Sequence, residues 1–321
     1  MLKFRASILF LIFYPCYLLS QFAPAAGKVG STAIPWDSSC FVNWAYQAQS
    51  AVGYRDISQP DSGYANVGSE ESALGEARSA GVISLGDSGS ITLYFPNPIV
   101  NRTGFDFAVF ENAFNDSFLE LAHVEVSLDG VKFYRIPSES LTPTQVQTSA
   151  FGSTKAEDIH NLAGKYRMPF GTPFDISDLD TSEPFFPTEF YWVRIQDVVG
   201  CIHPRYGTTD SKGRIINDPW PTNFSSSGFD LDAVGVIHQR DALSNHKIHR
   251  SNATTFWFIQ NGQVNIHSIK GIDKFEVYNM KGERIYAHRT PLISNDVILP
   301  PLKSGAYIFQ SGNSRFPFIC P

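Results

Sequence analysis

The sequence predicts an all-β protein built around an antiparallel β-sandwich, and three observations support this. Of the 321 residues, 14 % are aromatic and only 17 % are charged, which favours strands and a well-filled core. Short β-branched and aromatic runs alternate with Gly, Pro, Asn and Asp turn residues. Only two segments, Ser69–Ala80 and Lys155–Ala163, have a helix-like pattern. The strand-helix alternation of a parallel sheet is therefore missing.

The first 20 residues are typical of an export signal peptide. Lys3 and Arg5 precede an apolar run that extends from Ala6 to Leu19. A membrane-spanning helix needs about 20 apolar residues, and Pro15 interrupts this shorter run. No later stretch is long enough to span a membrane, so we expect a secreted chain whose mature part begins near residue 21.

Removal of this segment leaves three cysteines, Cys40, Cys201 and Cys320. Extracellular compartments permit disulfides, so we expect Cys40 and Cys201 to pair and Cys320, at the extreme C-terminus, to stay unpaired. The alternative is that Cys40 and Cys201 are separate free thiols in a β-rich core.

The large N-terminal domain, residues 21–245, contains six predicted strands. They are Ser90–Phe95, Gly104–Phe110, Ala122–Ser127, Phe133–Ile136, Tyr191–Gln196 and Ala233–Ile237. Asp129-Gly130 predicts a hairpin turn after the third strand, because this dipeptide readily supplies positive φ. Residues 141–190 contain few strand signals, so we expect them to form loops at one end of the sandwich, where binding sites tend to lie.

A polar, strand-poor stretch then separates a second domain, residues 255–321, and we place the linker at residues 246–254. Five short strands are predicted beyond it, at Thr255–Gln260, Val264–Ser268, Lys274–Asn279, Glu283–His288 and Gly305–Phe309. Lys and Arg outnumber Asp and Glu in this domain, so the net charge of −6 comes from the first domain. An acidic domain of this kind disfavours binding to nucleic acid.

The second domain carries a characteristic strand and turn spacing. A V-Y-N-x-x-G turn at Val277–Gly282 is followed by the apolar segment Val297–Leu299 and a closing strand, Gly305–Phe309. This pattern resembles the C-terminal (type A) sorting domain of the type IX secretion system. The resemblance implies a small immunoglobulin-like β-sandwich, a Gram-negative host and the type IX secretion machinery as a partner. The sequence departs from the family at its end, where Pro317–Pro321 replaces the usual apolar and basic final strand.

Six segments of the first domain carry distinctive motifs. They are Ser84–Ile91, Asp106–Asn112, Glu120–Ser127, Asn161–Lys165, Ile216–Pro219 and Gly228–Val234. Together they resemble a family of bacterial cell-surface proteins of uncharacterised role. The resemblance implies an exported β-sandwich, similar to galactose-binding-like jelly rolls, on the outer surface of the cell. It implies no activity.

Carboxylates inside apolar strands suggest a cation site. A buried carboxylate needs hydrogen bonds, an Arg or a metal ion, and the oxygen-rich side chains of an acidic exported domain suit Ca²⁺. We therefore expect one structural Ca²⁺ ion, held by some of Asp106, Glu111, Asn112, Asp230 and Asp232. The alternative is that these side chains cap loops or pair with Arg135, Arg194 or Arg205.

Two other groups of possible ligands are weaker. Asp175, Asp178 and Asp180 lie in one loop but lack the glycine and distal glutamate of an EF-hand. His246 and His249, with His238 nearby, lack a Cys or a carboxylate at zinc-ligand spacing, and a solvated linker explains them better.

No nucleophile elbow, H-E-x-x-H helix, P-loop or dinucleotide fingerprint occurs in the sequence. The leading hypothesis is therefore a non-enzymatic surface protein that binds a glycan or another nutrient, with Trp220 and Tyr206 as loop-borne aromatic residues that contact it. One alternative is a polysaccharide hydrolase whose acid and base are two of Asp106, Glu111, Glu120 and Asp230. The other is a structural or adhesive surface protein.

Overall fold

The chain folds into two compact units, residues 1–239 and residues 240–321. The computed structural model describes residues 22–183, 186–240, 249–252, 255–260, 263–300, 302–303, 305–312 and 314–320. The expected signal peptide, residues 1–20, lies outside these ranges, as does much of the expected linker, residues 246–254. None of the helices within these ranges is long and apolar enough to cross a membrane.

The first unit is a β-sandwich of two antiparallel sheets. Its strands are β1 (Ile34–Pro35), β2 (Asn43–Trp44), β3 (Gln47–Ala51), β4 (Ile83–Ser84), β5 (Ser90–Val100), β6 (Phe107–Glu111), β7 (Ala122–Ser127), β8 (Tyr134–Arg135), β9 (Glu139–Ser140), β10 (Ile159–His160), β11 (Phe170–Phe174), β12 (Glu189–Asp197) and β13 (Asp230–Val236). The six-stranded sheet has the order β1-β11-β6-β13-β2, with β4 beside β13, and the five-stranded sheet has the order β3-β5-β12-β7-β8. A separate small sheet pairs β9 with β10. The predicted all-β class is thus confirmed.

Side-chain alternation directs apolar residues of both sheets into a shared core. Ile91 of β5 and Ile195 of β12 join Phe107 of β6 there, and all three are fully buried. The opposite face of β6 is covered as well, because Phe110 packs against Trp44, with ring centroids 5.7 Å apart. β6 is therefore buried on both faces along its whole length, and so are the polar side chains at its two ends.

Several predicted elements are confirmed. The strand predicted at Ala122–Ser127 coincides with β7, and the turn through Gly130, where φ is 73°, joins it to β8. In the second unit, the predicted turn at Asn279–Gly282 also forms. Its Asn279 side-chain oxygen accepts hydrogen bonds from the backbone N–H groups of Lys281 and Glu283, both at 3.0 Å.

The two predicted helices are wrong, because each region forms only a 3₁₀ turn. The 3₁₀ turns of the first unit are Pro60–Ser62, Glu70–Ala73, Ala156–Asp158 and Ile176–Asp178. Positive φ values at Gly75 and Arg78 prevent helix continuation beyond the second turn. After the third turn, the chain extends into β10 and pairs with β9 instead.

The strands of the second unit are β14 (His249–Asn252), β15 (Thr255–Gln260), β16 (Gln263–Asn279), β17 (Arg284–Ile298), β18 (Gly305–Ser311) and β19 (Ser314–Cys320). They form one antiparallel sheet in the order β14-β15-β16-β18-β19, with β17 on β16. Ile266, Val277 and Phe309 are fully buried in its core. β14 falls within the segment expected to be a linker.

The expected disulfide is wrong, because Cys40 and Cys201 are free thiols. The Cys40 sulfur accepts a hydrogen bond from the Ser38 hydroxyl at 3.1 Å, in the turn before β2. The Cys201 sulfur accepts one from the backbone N–H of His203 at 3.4 Å, in the loop after β12. Each sulfur therefore forms a hydrogen bond within its own local turn. The number and spacing of the cysteines cannot reveal such local contacts.

Candidate functional site

Six buried carboxylates gather at one end of the first unit, and we call them the acidic cluster. Asp230 begins β13 and Glu111 ends β6, and the two residues are neighbours because the antiparallel register pairs Leu231 with Glu111. Glu120 lies just before β7, and Asp197 ends β12. The members of the acidic cluster, each at most 8 % exposed, are Asp87, Glu111, Glu120, Asp197, Asp218 and Asp230.

The electrostatics of the acidic cluster are unusual, because its members face one another rather than cations. Burial raises the pKa of Asp87 and of Asp230 to about 6. Burial, followed by the charge of Glu111, raises the pKa of Glu120 well above its ordinary value. Within the described ranges, no Lys, Arg or His forms a salt bridge with any of the six carboxylates.

Three members of the acidic cluster accept hydrogen bonds from other segments, two of them from backbone N–H groups and one from side chains. Asp197 accepts hydrogen bonds from the backbone N–H groups of Phe229 and Ser88 at 2.8 and 3.0 Å. Asp218 accepts one from Leu121 N–H at 3.0 Å. Asp230 accepts hydrogen bonds from the Ser84 hydroxyl and, at 3.1 Å, from the Asn112 amide. These contacts tie the ends of strands from both sheets together.

Two members of the acidic cluster are poorly satisfied. One oxygen of Glu111, Oε2, accepts a hydrogen bond from Ala113 N–H at 2.8 Å. The other, Oε1, is buried and has no hydrogen-bond partner in the described part of the chain. No hydrogen bond from a described residue reaches the Glu120 carboxylate, but Glu120 is 8 % exposed, so of these two only Glu111 has a fully buried oxygen without a partner. A buried acceptor without a partner is destabilising and calls for an explanation.

The five residues expected to hold Ca²⁺ do not converge. Glu111, Asn112 and Asp230 lie together, but Asp106 lies at the opposite end of β6, roughly 16 Å away along the strand. Both oxygens of Asp232 accept hydrogen bonds from a backbone N–H group of Arg78, at 2.9 and 3.0 Å.

Asp106 is fully satisfied by the protein, since Arg102 N–H, Ile176 N–H and His238 Nδ1 all lie 2.9 Å from its oxygens. Among the residues that the structure describes, no three His, Cys, Asp or Glu side chains already form a metal site.

The salt bridges considered as the alternative form elsewhere. Arg135 and Arg194 both pair with Glu125 of β7, outside the acidic cluster. Arg205 instead lies over the ring of Tyr206, 5.3 Å from its centroid. The loop carboxylates Asp175, Asp178 and Asp180 each accept a hydrogen bond from a different residue, namely Ser177, Asn161 and Ser182.

The four candidate acid and base residues of the hydrolase alternative, Asp106, Glu111, Glu120 and Asp230, are all buried. This burial counts against a catalytic pair acting on a polysaccharide.

The structure brings Trp220 and Tyr206 together. Their rings stack at a centroid distance of 6.5 Å and an interplanar angle of 25°. The indole N–H of Trp220 donates to Asp87 at 3.0 Å, which anchors this half-buried ring to the acidic cluster. The backbone N–H of Trp220 donates to Thr148 O at 3.0 Å and joins its loop to residues 148–154.

Beside this loop runs a row of phenylalanines that sequence analysis missed. We call it the phenylalanine row: Phe114, Phe118, Phe151 and Phe224. Successive ring centroids lie 5.0, 6.1 and 5.6 Å apart. Phe114, Phe151 and Phe224 are 68, 74 and 45 % exposed. A backbone hydrogen bond of 2.7 Å from Thr154 N–H to Ser117 O joins the loops that carry the first three rings. One feature of the sequence could have indicated this row, because its phenylalanines occur in loop segments that are rich in Asn, Ser and Gly.

Comparisons with known proteins identify no family. No family model and no curated protein matches the chain. A β-glucuronidase from Parabacteroides merdae aligns at 11 % identity with a TM-score of 0.18, over 87 % of this chain and 35 % of the enzyme. A β-glucuronidase from Ruminococcus gnavus, in complex with N1-substituted uronic isofagomine, aligns at 13 % identity with a TM-score of 0.20, over 87 % of this chain and 44 % of the enzyme. The chain spans less than half the length of either enzyme, and TM-scores this low support no conclusion about function.

Proposed function

We propose that the protein is a secreted or surface-attached, non-enzymatic binding protein whose ligand is a glycan. The observation that supports this proposal is the phenylalanine row. Monomeric proteins rarely expose contiguous apolar surface, and a patch of this kind usually marks an interaction site. The apolar faces of sugar rings stack on aromatic side chains, and a row of rings suits an extended oligosaccharide.

The surroundings of the row also suit a carbohydrate. Its rings lie in loops that are rich in Asn, Ser and Thr, side chains able to hydrogen-bond to sugar hydroxyl groups. The loops are connected by backbone hydrogen bonds, so the rings keep their relative positions before a ligand arrives. Such preorganisation reduces the entropy lost on binding.

The proposed location and export route rest on the sequence. The charged and apolar N-terminal segment, followed at the other end by a type IX-like strand and turn pattern, suggests export to the surface of a Gram-negative cell. Deletion of residues 255–321 in the native host should abolish export if the second domain is a sorting signal. Unchanged export of the truncated chain would remove the type IX proposal and leave the binding proposal intact.

A glycan array probed with the full chain tests the binding proposal. We expect a bound glycan whose dissociation constant rises about two- to tenfold in the Phe151→Ala variant, since an aromatic stacking contact contributes about 0.5–1.5 kcal/mol. The matched control is Phe105→Ala, which removes a partly exposed ring outside the row and should bind like the wild type. Absence of any bound glycan, or equal affinities of the two variants, would overturn the proposal. Self-association that depends on Phe151 would favour the adhesive alternative instead.

A further inference from the structure

We propose that the acidic cluster takes up one Ca²⁺ ion between Glu111 and Glu120. This site is separate from the phenylalanine row and does not depend on the proposed glycan binding. It starts from the Oε1 atom of Glu111, which belongs to a side chain only 2 % exposed and has no partner in the described part of the chain. A lone acceptor this deeply buried is explained by a cation that satisfies it.

The second observation is the surroundings of that oxygen. The charges that act on Glu111 come from Asp230 and Asp232, and those that act on Glu120 come from Glu111, Asp230 and other acidic residues. Within the described ranges no basic side chain pairs with either glutamate. Two buried like charges without a counter-charge are strongly destabilising, unless a proton or a metal cation neutralises them.

The chemistry of the donors indicates which cation is suitable. The donors are oxygen atoms, since no His or Cys side chain of the described residues forms a hydrogen bond with either glutamate. Hard cations prefer oxygen, and Ca²⁺ accepts six to eight oxygen ligands in flexible geometry. Zn²⁺ usually takes nitrogen or sulfur ligands, and Mg²⁺ demands near-ideal octahedral geometry.

Two carboxylates are sufficient side-chain ligands if the remaining positions are filled by main-chain oxygens, the Asn112 amide oxygen and water. The Asn112 amide nitrogen donates to Asp230 at 3.1 Å, and the amide oxygen of the same side chain is the atom that would bind the ion. This arrangement differs from the five-residue set expected from the sequence. It replaces Asp106 and Asp232, whose oxygens are occupied, with Glu120.

Calcium binding to the full chain is measured by isothermal titration and by thermal melting, after EGTA treatment and dialysis at pH 7.5. We expect one Ca²⁺ bound with a dissociation constant on the order of 10⁻³ M or lower, and a melting temperature that rises with Ca²⁺ concentration. We expect Glu111→Gln and Glu120→Gln each to weaken binding at least tenfold while remaining folded, since Gln relieves the buried charge.

The matched control is Glu125→Gln, which makes the same chemical change at a buried glutamate already paired with Arg135 and Arg194. It should bind Ca²⁺ like the wild type. If wild-type protein binds no Ca²⁺ at 5–10 mM (roughly ten times the weakest expected dissociation constant), the cluster is neutralised by protons and the proposal is wrong. Equal binding by all four proteins would place the ion elsewhere and would also overturn it.

Discussion

The two ends of β6 differ in the hydrogen-bond donors that they provide for a buried carboxylate. At one end, Asp106 accepts hydrogen bonds from two backbone N–H groups and from the His238 ring. At the other end, Glu111 has one satisfied oxygen and one without a partner, and its neighbours are acidic. Donors organised by the protein make a buried carboxylate structural, whereas a missing donor leaves the carboxylate available for a cation.

The largest expected effect is at the satisfied end. Replacing Asp106 with Ala leaves the donors from Arg102, Ile176 and His238 without their acceptor. We expect the free energy of unfolding to fall by about 3–5 kcal/mol, measured by urea denaturation. A loss below 1 kcal/mol would show that water replaces the carboxylate and that the contrast between the two ends of β6 is weak.

The next effect concerns the pH dependence that the acidic cluster imposes. The pKa of Asp87 is about 6 in the folded state, above its ordinary value, because the side chain is buried. Its protonated form is therefore favoured by folding, and its contribution to stability is present below about pH 4 and lost as the pH rises to 6. We expect Asp87→Asn to reduce the stability loss between pH 4 and pH 7 by about 2–3 kcal/mol.

The control for that measurement is Asp129→Asn. Although burial raises the pKa of Asp129, hydrogen bonds from Val131 and Lys132 N–H lower it overall. Its contribution to stability should therefore change with pH in the opposite direction. Parallel pH profiles for the two variants would contradict the conclusion that folding raises the pKa of Asp87.

A smaller effect is expected at the unsatisfied end of β6. In EGTA at pH 8, Glu111→Gln should raise the free energy of unfolding by about 1–2 kcal/mol, because an amide has no charge to bury. Glu125→Gln should lower it, since two arginines lose their acceptor. Urea denaturation of both variants checks the signs, and destabilisation of both would mean that Glu111 is satisfied as well as Glu125.

The smallest effect separates the contribution of one donor at the Asp106 end. His238→Ala removes one of three hydrogen bonds to Asp106 and leaves the two backbone bonds. We expect a loss of about 0.5–1.5 kcal/mol in the free energy of unfolding. A loss as large as that of Asp106→Ala would show that the ring, and not the backbone, holds the carboxylate.

Much of the fold was predictable from local patterns. Alternating apolar residues and the Asp129-Gly130 turn predicted β7 and its hairpin with β8, because these features depend on neighbours in the chain. The two helices were wrong because strand pairing and positive φ values at Gly75 and Arg78 overrode a short helical pattern. The cysteine count predicted a bridge that the positions of the two sulfurs do not form.

The candidate sites were only partly predictable. The motifs around Glu111 and Asp230 showed that acidic residues recur within apolar strands, and the structure places these two together. The same reasoning grouped them with Asp106, because the sequence shows that these residues belong to one strand region. It does not show which hydrogen-bond donors lie at each end of the strand. The phenylalanine row joins three distant loops and leaves no periodic signal.

The all-β class, the acidic first domain and the hairpin turns follow from the chain alone, since each depends on composition or on residues near one another in sequence. Which carboxylates are satisfied, which remain without a donor and which rings form an exposed row depends on strand register and on contacts between residues far apart in the sequence, such as Phe151 with Phe224 and Asp106 with His238. Only the tertiary structure decides these, because a buried polar group is defined by the partners that the fold brings to it.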